Sequence, residues 1–190
     1  ISGLLITTLL LREQDREGRI SLRGFYWRRG LRILPLYVLV VSAVGAYYVL
    51  WKGSAEMARL WPGYYLFLAN FLTDHIPTLH PTWSLSMEEQ FYLVWPLVML
   101  LPRKLCGPLL VFGIALNLLA VTGALQPLGI RAFGLGPFWF QIQGGTYAPL
   151  LIGAGLALLL HSPPGFRGLW WLLGRRAAPV VVGLLLAALC

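Results

Sequence analysis

Apolar runs close to the ~20 residues that cross about 30 Å of hydrocarbon recur along the chain, as in Ile33 to Trp51, Leu105 to Leu125, Gly144 to Leu160 and Ala177 to Cys190. That recurrence decides the solvent. Hydrophobic residues make up 58% of the chain and charged residues 12%, with a mean hydropathy of +0.72, far outside the range of a water-soluble domain. The expected fold is all-α, a polytopic transmembrane helix bundle with about six to seven complete or partial spanning segments. Residues 1–190 read as part of one such domain, with no soluble domain and no internal repeat. Because the chain starts at Ile1 without methionine and stops at Cys190 inside an apolar run, it is expected to be truncated at both ends.

The net charge of +8 does not point to nucleic acid, because the basic residues flank the apolar segments and do not line a stacking platform. The positive-inside rule places them better. Arg12 to Arg32 holds seven arginines against Glu13, Asp15 and Glu17, a charge of 7 − 3 = +4, and is expected in the cytoplasm. Ile33 to Trp51 would cross outward with Pro35 in its first turn, where a missing N–H costs little. Lys52 to Arg59 reads as a polar connection, Leu60 to Leu72 as a returning helix with Trp61, Tyr64 and Tyr65 at headgroup level, and Thr73 to Thr82 as a loop. A helix from Trp83 to Leu101 and a turn from Pro102 to Pro108 precede Leu109 to Leu125, followed by a Gly- and Pro-rich connection from Gln126 to Gly145. Counting crossings puts Arg103 and Lys104 outside, whereas the positive-inside rule wants them inside. A re-entrant segment would reconcile the two, and Leu60 to Leu72 is the shortest candidate.

The stretch Trp83-Ser84-Leu85-Ser86-Met87-Glu88-Glu89-Gln90-Phe91-Tyr92 takes two adjacent carboxylates into an apolar helix, two of only seven acids in the chain. Helical spacing puts Ser84, Glu88, Phe91, Tyr92 and Trp95 on one broad face, with Glu89 turned about 100° away. An intramembrane carboxylate is expensive and faces a cavity or a partner, which makes Glu88 and Glu89 site candidates. The plainer alternative is an acid kept in a first turn by the helix dipole.

In Arg23-Gly24-Phe25-Tyr26-Trp27-Arg28-Arg29-Gly30-Leu31-Arg32, Arg32 stands four residues after Arg28 and three after Arg29, so their guanidinium groups converge on a helix. They could hold the phosphates of a nucleotide-like ligand while Phe25, Tyr26 or Trp27 stacks on its base. On charge alone, a topology signal with lipid-phosphate contacts is the better explanation. Of the histidines, His75 and His80 fall in the loop before Trp83 and His161 in an interfacial loop. His80 is the better candidate base, being nearest the Glu88 helix. Cys106 and Cys190 read as small apolar residues, and no metal spacing, P-loop or GxSxG element occurs.

Taken in order, Ser2-Gly3-Leu4-Leu5-Ile6-Thr7, Arg19-Ile20-Ser21-Leu22-Arg23 with Phe25-Tyr26, Arg28-Arg29, Arg32-Ile33 and Pro35, and Trp83-Ser84-Leu85 with Glu88-Glu89-Gln90-Phe91-Tyr92-Leu93 and Trp95-Pro96 form a pattern. It resembles the membrane acyltransferase family 3, over about the first hundred residues. The resemblance implies a multi-pass enzyme of the bacterial inner membrane that moves an acyl group, expected to be acetyl, from acyl-CoA to a hydroxyl of a sugar or cell-surface polysaccharide. It implies a cytoplasmic acyl-CoA site at Arg28, Arg29 and Arg32, with Tyr26, Trp83 and Tyr92 as further donor or substrate contacts. It places Glu88 in the active region, beside the candidates Glu89, His80 and Ser84.

Acetyl-CoA would be a co-substrate; no tightly bound cofactor, metal or nucleic acid is expected. The family's catalytic histidine lies in a helix that would precede Ile1, so residues 1–190 alone are expected to be inactive. The rival reading is a transporter with Glu88 and Glu89 as an ion or proton relay, and a third is a non-catalytic membrane scaffold.

Overall fold

A computed structural model of the chain describes residues 1–72, 77–122, 124, 132–135, 138–141 and 147–173. His75 and the apolar run from Ala177 to Cys190 lie outside the described residues. Helices dominate: α1 (Ser2–Glu17), α2 (Leu22–Ala46), α3 (Ala55–Tyr65), α4 (Thr82–Val98), α5 (Arg103–Val121), α6 (Ala148–His161) and α7 (Pro163–Leu173). Among the described residues, the one departure from an all-α chain is a two-stranded antiparallel hairpin, β1 (Ala132–Leu135) and β2 (Phe138–Gln141), with Ala132 opposite Gln141. Phe138-Trp139-Phe140 is an aromatic run suited to a strand, inside what the sequence offered only as a connection.

Two helices among the described residues are long and apolar enough to cross a membrane, Leu22–Trp51 and Arg103–Val121. The first unites α2 with a π-helical turn at Tyr47–Trp51. The arginine-rich Arg12 to Arg32 is not a loop but two helix ends, joined through Gly18 to Ser21. Gly18 stops α1 with φ 69°, a conformation that suits glycine, and the Ser21 hydroxyl accepts from Gly24 N at 3.3 Å to start α2. Pro35 therefore lies inside α2 and not in a first turn. The expected turn from Pro102 to Pro108 likewise shrinks, because α5 begins at Arg103 and includes Pro108. His161 is the last residue of α6 and not part of a loop.

The expected returning helix from Leu60 to Leu72 is displaced toward the N-terminus and shortened. Ser54 accepts from Met57 N at 3.2 Å and starts α3 at Ala55, and the helix ends at Tyr65. Eleven residues reach only about 16 Å, half of a hydrocarbon layer. Its buried Met57, Leu60 and Tyr64 form a core with Tyr37 and Val41 of α2. Tyr37 donates to Tyr64 O at 2.6 Å, and Trp61 Nε1 donates to Val41 O at 3.2 Å with its indole lying where a Cβ at Gly45 would be. Thus α3 folds back on α2 without completing a crossing.

That result agrees with the re-entrant alternative for this segment. Arg103 donates to Asp15 Oδ1 at 3.0 Å and to Gln14 Oε1 at 3.2 Å, and His161 Nε2 lies 2.9 Å from Asp15 Oδ2. The start of α5 and the end of α6 therefore meet the arginine-rich end of α1, on the side the positive-inside rule wants.

A second core joins α1, α4 and α6 through Leu10, Leu11, Phe91, Trp95 and Ala154. Trp95 Nε1 donates to Thr7 Oγ1 at 2.8 Å inside it. Here α1 and α6 pack backbone to backbone. A Cβ on Gly3 would overlap the Leu150 carbonyl, and one on Gly153 would sit 2.9 Å from Leu4 N. Small residues at such a contact let apolar helices associate where no hydrophobic force drives them together. Gly3→Val is expected to force the two helices apart and destabilise the fold by about 1–3 kcal/mol, read as a lowered unfolding midpoint in detergent; an unchanged midpoint would refute the close contact.

Candidate active site

A cavity of 660 Å³ opens between α1 and the first half of α2, lined on one helix by Arg12 and Arg16 and on the other by Arg28, Arg29 and Arg32. Spacings of three and four residues turn these arginines to one side of each helix. Phe25, with Leu5, Ile6, Leu9 and Leu10, supplies the apolar wall. Glu13 also lines the cavity; it accepts from Ser21 N at 3.2 Å and lies 3.8 Å from Arg28 Nη2. Of the three aromatics adjacent to the arginines, Phe25 faces the cavity. The Tyr26 hydroxyl donates to Leu93 O at 2.8 Å, tying α2 to α4, and Trp27 is exposed.

Arg29 reaches furthest inward. Its Nη2 donates to Glu89 Oε1 at 3.3 Å, with both side chains about four-fifths buried, and its guanidinium carbon lies 3.2 Å from the centre of the Tyr92 ring. A delocalised planar cation is suited to pairing with a carboxylate while stacking on an aromatic face. Among the described residues, Arg29 Nε, like Ser86 Oγ, is buried with no hydrogen-bond partner.

Glu88 is held from two helices. Ser2 donates to its Oε1 at 2.8 Å across 86 residues of sequence, and Tyr92, one turn on, donates to its Oε2 at 3.2 Å. The carboxylate is thereby fixed in rotation, as a group that must orient a neighbour needs to be. The sequence correctly pairs Glu88 with Tyr92, but the hydroxyl comes from Ser2 and not from Ser84. Ser84 is exposed, and its hydroxyl donates to Pro81 O at 3.0 Å. His80 is exposed in the turn before α4, and Trp83 stands in the first turn. Eight residues separate His80 from Glu88, about 12 Å along a helix. The structure thus brings together Arg28, Arg29 and Arg32 at the cavity and Glu88, Glu89 and Tyr92 beside Arg29, and leaves His80, Trp83 and Ser84 outside this group, at the start of α4. Arg12, Arg16 and Ser2 are the additions; the four-residue spacing of the first two was a readable signal.

Comparison with known proteins extends this picture. A family model described as an acyltransferase domain matches residues 1–189. A Staphylococcus aureus (strain COL) protein, provisionally named an O-acetyltransferase, is 33% identical over 112 residues, covering 52% of the chain and 18% of its own length. YrhL of Bacillus subtilis, provisionally named a peptidoglycan O-acetyltransferase, is 27% identical over 173 residues, covering 84% of the chain and 27% of its own length. The peptidoglycan O-acetyltransferase OatA of Listeria monocytogenes is 30% identical over 117 residues, covering 55% and 19%. The chain therefore spans less than a third of each of these relatives. No solved structure matches it.

Removing one member of a buried ion pair strands the other, so Arg29→Met alone is expected to destabilise the protein by about 3 kcal/mol. Arg29→Met combined with Glu89→Leu should recover part of that loss. Equilibrium unfolding of the two single variants and the double variant checks it: strictly additive losses would show that the pair is not coupled.

Proposed function

Because the chain belongs to the acyltransferase 3 family, we propose that it forms the donor-binding and acid-bearing part of a multi-pass O-acyltransferase of the bacterial inner membrane, which moves an acetyl group from acetyl-CoA to a sugar hydroxyl of a cell-surface polymer. The observation that carries this reading is the position of Arg29, which lines the arginine cavity and also touches the Glu89 and Tyr92 side chains beside Glu88. A ligand gripped by its phosphates in that cavity would have its far end directed at the carboxylates.

The chemistry of acyl-CoA fits the residues present. Five arginines against Glu13, Asp15 and Glu17 leave the lining net positive, 5 − 3 = +2, which suits phosphate groups, and Phe25 belongs to the apolar wall against which the adenine would lie. In the reaction the acceptor hydroxyl oxygen bonds to the thioester carbonyl carbon while a base removes its proton. The C–S bond then breaks, and the CoA thiolate leaves and takes up a proton. Glu88, fixed by Ser2 and Tyr92, would orient and charge-stabilise that base. The arginine side of the bundle is read as cytoplasmic, where acyl-CoA is available. An acyltransferase family leaves the ion-relay reading of Glu88 and Glu89 without support.

In the full-length protein, Arg28→Ala and Arg32→Ala are each expected to raise KM for acetyl-CoA about tenfold with kcat nearly unchanged, the loss of one charge-assisted hydrogen bond. Glu88→Gln should instead lower kcat about a hundredfold with KM unchanged. Steady-state transfer of radiolabelled acetyl groups separates the two effects; wild-type turnover in Glu88→Gln would sink the role given to that residue.

A further inference from the structure

A second cavity, of 580 Å³, lies between α4, α5 and α6 and differs in chemistry from the arginine cavity. No charged side chain among the described residues lines it. Its polar end is built from Asn70, Gln90, Tyr147 and Asn117, and Phe91 and Gly113 belong to its apolar wall. The polar end is ordered in advance. Gln90 Nε2 donates to Phe67 O and to Asn70 Oδ1, each at 2.8 Å, and the Tyr147 hydroxyl donates to Gln90 Oε1. Asn70 Nδ2 lies 3.3 Å from both Gln90 Oε1 and the Tyr147 oxygen, and Asn117 Oδ1 accepts from Ala148 N at 3.1 Å. A mostly apolar pocket with a few converging, preorganised polar groups is the form of a small-ligand site.

We propose that this cavity is the acceptor subsite, taking an uncharged sugar ring. Phosphates are disfavoured because no cation among the described residues lines it, whereas a sugar presents hydroxyl edges to amides and a tyrosine and apolar C–H faces to Phe91 and its neighbours. Its place in the bundle fits. Tyr147 precedes α6, whose fourteen residues put it about 20 Å from His161, which meets Asp15 at the arginine end. Donor and acceptor cavities thus lie toward opposite ends of the bundle. They are linked through α4, which carries Glu88 and Glu89 on the donor side and Gln90 in the amide network. The identity of the ligand rests on the acyl-transfer reading above, while the cavity itself does not.

The test uses the full-length protein in lipid nanodiscs with a β-1,4-linked N-acetylglucosamine tetramer as probe, measuring Kd for the tetramer and for acetyl-CoA in parallel. Leu116→Trp, at a position both exposed and on the cavity wall, fills the space without disturbing the core. Gly113→Phe fills it from one turn earlier on α5, and Gly168→Ala in α7, where a Cβ meets nothing within 4 Å, is the control. Both filling variants are expected to weaken tetramer binding about tenfold or more, with acetyl-CoA binding and the control unchanged. Four results would overturn the proposal: no tetramer binding by the wild type, unchanged binding in both filled variants, equal weakening of acetyl-CoA, or competition by dodecanol as effective as the sugar. Tetramer binding that is lost in Leu116→Trp when the wild type binds no acetyl-CoA would uphold the subsite and sink the donor reading.

Discussion

A guanidinium cannot be left unpaired among apolar helices, and Arg29 meets that constraint on α4. Its charge is balanced by Glu89 and its flat face rests on Tyr92, so α2 and α4 are fixed relative to each other at one point. Everything functional in the candidate site is measured from that point. Tyr92, held under the guanidinium, donates to Glu88, and Arg29 itself closes the inner end of the arginine cavity. A lysine could balance the charge of Glu89, but it would not stack as a plane, and Tyr92 would lose the contact that orients it.

The sidedness of the bundle follows from a different kind of contact. Asp15 with Arg103 and His161 is half exposed and contributes little energy, yet it is decisive as geometry, because three helix ends can share one aspartate only if all three lie on the same side. The shortness of α3 makes this possible. Since α3 returns along α2 through Tyr37, Val41 and Trp61, α4 and not α3 carries the chain back toward the arginine end. The segment between Leu60 and Leu72, the re-entrant candidate of the sequence, is the one that turns back along α2.

What the sequence made legible was local. Arg28, Arg29 and Arg32 share a face because helical spacing dictates it, and Glu88 meets Tyr92 for the same reason. What it hid was non-local or a matter of boundaries. Nothing in the order of residues joins Ser2 to Glu88, because that contact depends on how α1 lies against α4. Ser84, equally well spaced from Glu88, turns out to spend its hydroxyl on Pro81 O, as serines near helix starts do. The helix starts at Leu22 and Ala55 were placed too late because the apolar run was taken to begin at Ile33 and charge marked Lys52 to Arg59 as a connection, whereas the Ser21 and Ser54 caps begin helices there; the start at Arg103 was masked by Pro102 and Pro108. Arginine and glutamate are good helix formers, and polarity alone does not end a helix.

Packing and chemistry are not separable in this chain. Ser2 can reach Glu88 only if α1 is held in register, and two features adjacent to it do so: the flush contact of Gly3 with Leu150 and of Gly153 with Leu4, and the Trp95 indole bonded to Thr7. Thr7 and Trp95 lie one and two turns further along α1 and α4 than Ser2 and Glu88, so the buried bond from Trp95 Nε1 to Thr7 and the bond from Ser2 to Glu88 form two rungs between the same pair of helices. The apolar rung is buried completely and does not titrate, whereas the other carries the carboxylate. A change in the volume of the Gly3 contact would therefore be felt first at Glu88, several ångströms away, as a carboxylate that has lost one of the two hydroxyls that orient it.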